Sequence, residues 1–484
     1  MTELDVLIHG VRAGSVSQSR GGSARFSYSD EYLAGGSPVP LSTRFWLGSR
    51  AYDVERWLDG LLADNGDVRR RWATDYGTYS TRPFDLLGSP VGRDCAGAVQ
   101  FYRPEITSEL MSRGSSLEPL SETDAANIVA GLRADAAAWN ENRTLTAFSL
   151  GGAQAKTALR FDGDQWSLPG GTACTTHILK PAPAAFPDLD IVEHLCQQAA
   201  RNLGIQAAAT DCLYFGDERS LVVTRYDRTQ LAAGLEPQRI HQEDMCQALD
   251  VSPLRKYQSD GGPTPSDVAS LLRRCSSAPD ADVRHFLDGL IYNWLVANTD
   301  GHAKNFSLLI TADQVRLAPL YDLCSILPYR DVTGRRHYVP KPKLAMKVGR
   351  TYTLRRADTE SAWGTAADQM GVSRMEVSER LRDLSERING AFERAVTTLP
   401  DKSTQSPYVS DLLKAIELRA STGLAVSSAL GRGSQRTIRE TGDKLLTKQT
   451  FQPANTNKPV CGFRGPRSKK RCVLASGHRG SHRY

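Results

Sequence analysis

With 484 residues, 24% of them charged, and a net charge of +6, the chain exceeds what one hydrophobic core usually supports, so two or three packed units plus a tail are expected. No run approaches the roughly eighteen uninterrupted apolar residues of a membrane helix, and the start Met1-Thr-Glu-Leu-Asp lacks the basic and apolar regions of a signal peptide. A cytoplasmic protein with no membrane partner is expected. Nine scattered cysteines read as buried free thiols rather than a disulfide framework, the last two apart.

Residues 1 to about 105 read as short β segments between Gly/Ser/Pro turns, with one amphipathic helix near Val54 to Ala63. Ser121-Glu-Thr-Asp is a helix start, because its oxygens can accept orphan N–H groups. Leu145-Thr-Ala-Phe-Ser-Leu then reads as a strand, turning through Gly151-Gly-Ala-Gln-Ala-Lys156 and returning as Thr157 to Phe161. Thr176 to Lys180 is a further strand. From Ile191 to Leu203 the apolar residues recur at helical spacing, and Gly204 is placed to stop the run. Cys212-Leu-Tyr-Phe and Leu221 to Tyr226 flank Gly216 as a hairpin.

The clearest helix is Ala281 to Ala297, apolar on one face for four turns. It ends at Asn298-Thr-Asp-Gly, and two short strands, Phe306 to Ile310 and Val315 to Leu320, deliver Tyr321-Asp322. From about Gly431 to Pro459 the composition turns polar and reads as a linker. The segment Gly431–Tyr484 holds 13 Lys/Arg against 2 Asp/Glu. That surplus of eleven positive charges, set against +6 for the whole chain, leaves −5 on residues 1–430. A basic tail favours phosphate-rich or acidic partners; a solvated end is the other reading.

A rigid helix leading into Thr299-Asp300-Gly-His302-Ala-Lys304-Asn305, then a hairpin, then Asp322, is a layout suited to phosphoryl transfer. Such a site holds Mg²⁺ with oxygens and sets a carboxylate to take the proton of the attacking hydroxyl. Asp300 and Asn305 have the five-residue offset of the Asp and Asn in a protein-kinase catalytic loop, although Asn-Thr-Asp-Gly is also an ordinary turn. Upstream, Ser149-Leu-Gly151-Gly152-Ala153-Gln154-Ala155-Lys156 joins two strands with small residues that let backbone N–H groups approach phosphates. It fails the P-loop signature, with Ala155 and Leu150 where glycines are required. Lys180 and Glu193 stand in the order of the lysine and helix glutamate whose ion pair serves kinase phosphate binding.

These segments, with Gln242-Glu-Asp-Met-Cys-Gln, Lys256-Tyr-Gln-Ser-Asp-Gly-Gly-Pro, Pro319-Leu-Tyr-Asp, Pro83-Phe-Asp-Leu-Leu and Gly92-Arg-Asp-Cys-Ala-Gly-Ala-Val, resemble HipA-family kinase toxins in content and order over roughly residues 4 to 400. The resemblance implies an α+β bilobal kinase with a β-rich N-lobe, an extra N-terminal subdomain and a helical C-lobe; the basic tail falls outside it. The expected boundaries are 1–105 for the subdomain, 106–230 for the N-lobe, 231–400 for the C-lobe, 401–430 for a terminal helical segment, 431–460 for a linker and 461–484 for a small metal module.

It implies an ATP/Mg²⁺-dependent serine/threonine kinase acting on a protein substrate, with Asp300 as base and Asn305 and Asp322 on Mg²⁺. Gly151, Gly152, Ala153, Gln154, Ala155, Lys156 and Lys180 would contact phosphates. His302, Lys304 and Tyr321 would line the nucleotide site, and Thr224, Arg225 and Tyr226 would form its hinge. Ser149 matches a self-phosphorylated serine whose added charge would repel ATP. Thr224 replaces a common acidic residue and Ala155 a common Glu.

A helix-turn-helix antitoxin, DNA reached through it, and a homodimer within that complex are the implied partners. Aminoacyl-tRNA synthetases are among the family's targets. Arg350, Arg355 and Arg356 lie where such toxins face DNA, although an arginine cluster is also ordinary solvated surface. A catalytically silent DNA-complex protein and a small-molecule or lipid kinase are the rival readings. In the tail, Cys461, Cys472, His478 and His482 follow C-x10-C-x5-H-x3-H, a donor set that could close a tetrahedral Zn²⁺ site. A disordered basic end is the alternative.

Overall fold

The computed structural model describes residues 2–78, 80–140, 147–229, 236–329 and 341–448. The chain opens with β1 (Thr2–Ile8), β2 (Val11–Gln18), β3 (Ala24–Tyr28), β4 (Tyr52–Asp53) and β5 (Val99–Tyr102), an antiparallel sheet in the order β4-β3-β2-β1-β5. In β3 the apolar residues Ala24, Phe26 and Tyr28 are buried while Arg25 is exposed, the two-residue alternation of a sheet with one covered face. The covering helices include Glu55–Leu61, which buries Trp57, Leu58 and Leu61, and Gly66–Asp75, which buries Val68 and Trp72.

A second sheet is built from β6 (Ser115–Pro119), β7 (Thr157–Phe161), β8 (Trp166–Gly171), β9 (His177–Lys180), β10 (Thr210–Phe215) and β11 (Glu218–Thr224), in the order β10-β11-β9-β7-β8-β6. The Glu122–Ala134 helix begins at Ser121 with a capping box to Asp124 and packs on this sheet. The Leu189–Asn202 helix buries Ile191, Val192, Leu195 and Ala199, and Gly204 follows it at φ +85°, a left-handed stop that glycine reaches without a Cβ clash. Residues 145 and 146 lie outside the described residues. Ala147 to Leu150 do not form the expected strand, because Ser149 is engaged in an isolated parallel bridge to Cys95.

The described residues of the C-terminal half are mainly helical, apart from β12 (His241–Asp244), β13 (Ser307–Ile310) and β14 (Val315–Leu317) in one sheet and a hairpin of β15 (Lys343–Val348) and β16 (Thr351–Thr353). The Pro279–Leu295 helix starts with proline at its first position and buries Phe286, Leu287, Ile291 and Trp294. It packs with Pro265–Cys275 and Arg374–Val396. The last helix among the described residues is Pro407–Lys448, so the stretch expected as a linker from 431 is helical as far as Lys448. The described residues up to Gly431 form one compact unit. The seven cysteines among the described residues are free thiols, and no described helix is long and apolar enough to cross a membrane. Cys461, Cys472, His478 and His482 lie outside the described residues.

Candidate active site

Strand β9 pairs with β11 so that its last residue, Lys180, faces Leu221, and the following helix turns Glu193 toward it. Lys180 Nζ lies 2.8 Å from Glu193 Oε1, both side chains 5% exposed, and also donates to Asp322. Burial opposes the Lys180 ammonium, but the Asp322 and Glu193 carboxylates more than offset it and hold the lysine charged. Burial likewise opposes the Asp322 carboxylate, yet Lys180 and Lys156 bring it down to about 2. Asp322 sits at φ +54°, a left-handed conformation that aspartate tolerates better than most residues. Lys180 and Glu193 are buried while Asp322 meets them from a partly exposed position; burying that pair costs desolvation, so its presence in a cleft points to function as much as to stability.

The loop after the Pro279–Leu295 helix folds back on itself. Asn298 donates to Asn293 Oδ1 at 3.0 Å and to the Asp322 carbonyl at 3.3 Å, while its own Oδ1 takes the Asp300 N–H at 3.0 Å. The Asp300 carbonyl accepts from His302 N at 2.7 Å and from Asn305 Nδ2 at 2.8 Å. Gly301 lets the turn pass close to the helix: a Cβ there would meet Asn293 Nδ2 at 2.6 Å. The loop is therefore fixed by its own backbone, while the Asp300 carboxylate projects outward, 62% exposed. Burial drops the His302 imidazole to about 4 despite the nearby Asp300 carboxylate, so the ring is neutral at pH 7. Its Nδ1 is buried with no hydrogen-bond partner.

Tyr257 reaches the exposed Asp300 carboxylate. Its hydroxyl donates to Asp300 Oδ1, and its ring meets that of His302 edge to face at 5.0 Å. Burial, then the Asp300 charge, raises the phenol well above its ordinary range, so it remains a donor. A tight turn carries it: the Tyr257 carbonyl accepts from Asp260 N and Gly262 N at 3.0 Å each, and a Cβ on Gly262 would lie 2.2 Å from the Arg255 carbonyl.

Across the cleft lies the glycine turn. Gly152 stands at φ +99°, where a Cβ would meet Lys156 Nζ at 2.8 Å. Lys156 folds back onto the Gly151 carbonyl at 2.6 Å, under the Trp139 ring at 4.9 Å. Burial and the neighbouring Lys180 lower its ammonium to about 8.

One end of the cleft is lined by Gly151, Gly152, Lys156, Lys180, Thr224, Arg225, Tyr226, His302, Lys304, Asn305, Tyr321 and Asp322. The other is lined by Gly152, Ala153, Gln154, Lys156, Lys180, Glu193, Tyr257, Asp300, His302, Asn305 and Asp322. Two residues of the expected set face elsewhere. Ala155 packs into the hydrophobic core, because the turn's small side chain points away from the opening. Arg225 contributes backbone, and its guanidinium is buried against Asp227 at 2.7 Å and Asp94 at 3.4 Å. Ser149 is fully buried, its hydroxyl on the Leu61 carbonyl at 2.9 Å. Tyr321 donates to the Lys304 carbonyl at 2.5 Å and its ring lies 5.5 Å from that of Tyr226. Arg350, Arg355 and Arg356 are exposed, around the β15–β16 turn and the short helix after it.

Sequence reasoning missed Asp64, Lys256 and the contact of Tyr257. Lys256 and Tyr257 lie in a quoted motif that carried the only available signal. Asp64 had none, since nothing in the sequence places it beside the catalytic loop. There it meets Lys304 at 2.9 Å and Lys256 at 2.8 Å.

A β-rich lobe and a helical lobe, with a buried Lys–Glu pair and an Asp/Asn loop facing one cleft, define a protein kinase. The HipA-like C-terminal domain model matches residues 148–392 and the HipA N-terminal domain model residues 4–102, and the chain belongs to the HipA family. A putative kinase of Sinorhizobium fredii, Y4mE, is 35% identical over 426 residues, 86% of this chain and 97% of that one. The serine/threonine-protein kinase toxin HipA of Shewanella oneidensis is 28% identical over 393 residues, 77% of this chain and 84% of that one. Among solved structures, HipA of Shewanella oneidensis MR-1 with HipB and its operator DNA superposes with a TM-score of 0.75 at 23% identity, covering 89% of this chain and 99% of that one.

Proposed function

We propose that this kinase is the toxin of a toxin–antitoxin module and transfers the γ-phosphoryl group of ATP to a serine or threonine of another protein. The observation that carries the reading is one cleft shared by Asp300, Asn305, Asp322 and the Lys180–Glu193 pair. In this reading the Asp300 carboxylate takes the proton of the acceptor hydroxyl. Lys180 and Lys156 bind phosphate oxygens, with the Gly151–Gly152 turn close against them. The Asn305 side-chain oxygen and the ionised Asp322 carboxylate are hard oxygen donors and suit Mg²⁺. When bound, the ion would neutralise charge on the phosphates. Thr224 and the backbone of Arg225 face the adenine, and Tyr226, His302, Lys304 and Tyr321 complete the nucleotide wall.

Labelled ATP with a cell extract tests this. The wild-type chain should label a protein on serine or threonine, and Asp300→Asn should abolish the labelling; an Asp300→Asn protein of wild-type activity overturns the reading. Two finer elements follow the same family logic. Phosphorylation of Ser149 would silence the enzyme, because a dianion cannot remain in a fully buried pocket against a carbonyl. An antitoxin partner with operator DNA is suggested by the HipB–DNA complex of the Shewanella protein; co-purification of the neighbouring gene product would test it. For the tail, Cys461, Cys472, His478 and His482 form a Zn²⁺ donor set. Metal analysis of the full chain against Cys461→Ser should differ by one zinc per chain, and equal metal contents retire the proposal.

A further inference from the structure

Asp64 lies outside every motif of the kinase halves, in the turn between the Glu55–Leu61 and Gly66–Asp75 helices of the N-terminal subdomain. Three parts of the site nonetheless converge on it. Its Oδ1 accepts from Lys304 of the catalytic loop at 2.9 Å, and its Oδ2 accepts from Lys256 at 2.8 Å. Its backbone N–H donates to the carbonyl of Gly152, in the glycine turn, at 2.9 Å.

Neighbouring contacts repeat the pattern. Lys304 also donates to the Gly60 carbonyl at 3.2 Å, and Ser149 at the head of the glycine turn donates to the Leu61 carbonyl. Lys256 immediately precedes Tyr257, whose hydroxyl holds Asp300, and its carbonyl accepts the Ala303 N–H at 3.3 Å. The three charged groups are largely shielded from water, at 11% exposure for Asp64, 5% for Lys304 and 15% for Lys256. Burial opposes the Asp64 carboxylate, but the two ammonium groups override it and hold it ionised far below the usual range.

A salt bridge that only stabilised the subdomain would need one partner. Asp64 instead takes two lysines, each from a segment that reaches Asp300, and anchors the opposite wall of the cleft through its backbone. We propose that Asp64 is a positioning residue for phosphoryl transfer, through which the N-terminal subdomain sets the spacing between the glycine turn and Asp300. The tie rests on geometry alone, and its catalytic consequence rests on the kinase reading of the site.

The test compares Asp64→Asn with Asp5→Asn in the full chain. Asp5 pairs with Arg12 at 2.6 Å and takes the Thr107 hydroxyl at 2.7 Å in the same subdomain, and it lines neither end of the cleft. Two readouts are taken: amide hydrogen exchange over residues 150–156 and 300–305, and kcat and KM for ATP. Asp64→Asn should speed exchange in both segments by about tenfold or more. It should lower kcat by about tenfold or more, with KM for ATP within about threefold, because a small error of placement costs rate before it costs binding. Asp5→Asn should do neither at a comparable loss of thermal stability.

Unchanged exchange in either segment, or a fall in kcat no larger than that of Asp5→Asn, overturns the proposal. Should Asp64→Asn fail to fold, the double variant Asp64→Asn with Lys256→Met removes one of the unbalanced cations; a folded double variant of wild-type rate overturns the proposal equally. A wild-type chain that never transfers phosphate would count against the kinase reading, while the exchange measurement still decides the tie.

Discussion

Tyr257 donates its hydroxyl to Oδ1 of Asp300, the outward carboxylate of a loop whose backbone is otherwise fixed from within. The phenol holds the group in one orientation and, in the proposed reaction, would leave the second carboxylate oxygen for an incoming hydroxyl. Tyr257→Phe keeps the ring against His302 and removes the donor. A hydrogen bond to a charged group is worth about 1.5–3 kcal/mol, so single-turnover phosphoryl transfer should slow by about tenfold or more. ATP affinity should stay unchanged, because Tyr257 does not line the nucleotide end of the cleft. Equal rates for the two proteins would make the contact incidental.

Lys156 supplies a pH dependence whose sign can be worked out. Burial and Lys180 lower its ammonium from the ordinary 10.5 to about 8, and only the protonated form attracts phosphate. Below about pH 8 the charge is present. Above it, proton uptake must accompany binding, and ATP affinity should weaken by up to about tenfold per pH unit. For stability the sign is opposite: between about 8 and 10.5 the unfolded chain holds the proton more tightly, so the folding cost of this lysine is full below 8 and is relieved as pH rises. Calorimetric titration of ATP from pH 7 to 9.5 should show the decline for the wild type. Lys156→Arg, which stays charged, should be flat over that range, and a parallel decline in both would assign the effect elsewhere.

Asp94 is completely buried, with Arg228 at 2.9 Å, Arg239 at 3.2 Å, Arg225 at 3.4 Å and the Thr175 hydroxyl at 2.6 Å. It joins the N-terminal subdomain to the hinge and the strand before it. Asp94→Ala would leave Arg225 and Arg228 with Asp227 as their shared anion and would remove the ion pair of Arg239, so a loss of about 3–5 kcal/mol in urea unfolding is expected. A loss under about 1 kcal/mol would mean that the arginines find water instead.

Local pattern made much of this legible. The Leu189–Asn202 and Pro279–Leu295 helices follow their apolar spacing, and the offset of Asp300 and Asn305 pointed to a loop that the structure does fold around a shared carbonyl. Long-range partnerships were silent. The Asp64–Lys304 contact spans 240 positions, and no periodicity encodes it. Arg225 was expected at the nucleotide because the family resemblance put the hinge there, but a guanidinium takes the buried carboxylates of Asp94 and Asp227 when they are within reach. The polar stretch after Gly431 misled because Arg, Glu, Lys and Leu are good helix formers whatever their net polarity.

Lys180 and Glu193 allow a sharper test than single substitutions, because each leaves the other's charge buried. Lys180→Met strands Glu193 beside Asp322, two carboxylates without a cation between them. Glu193→Gln still leaves Lys180 with Asp322. The lysine variant should therefore be the less stable of the two, by about 2 kcal/mol or more, and the double variant Lys180→Met with Glu193→Gln should recover part of that loss. Nucleotide binding should behave differently: removal of the lysine should weaken ATP by about tenfold or more in both backgrounds, since no other residue replaces its charge at that point. Chemical denaturation and ATP titration of the four proteins form one cycle. Additive stability losses would show that the two side chains do not act on each other, and unchanged ATP affinity in Lys180→Met would remove the lysine from the phosphate site.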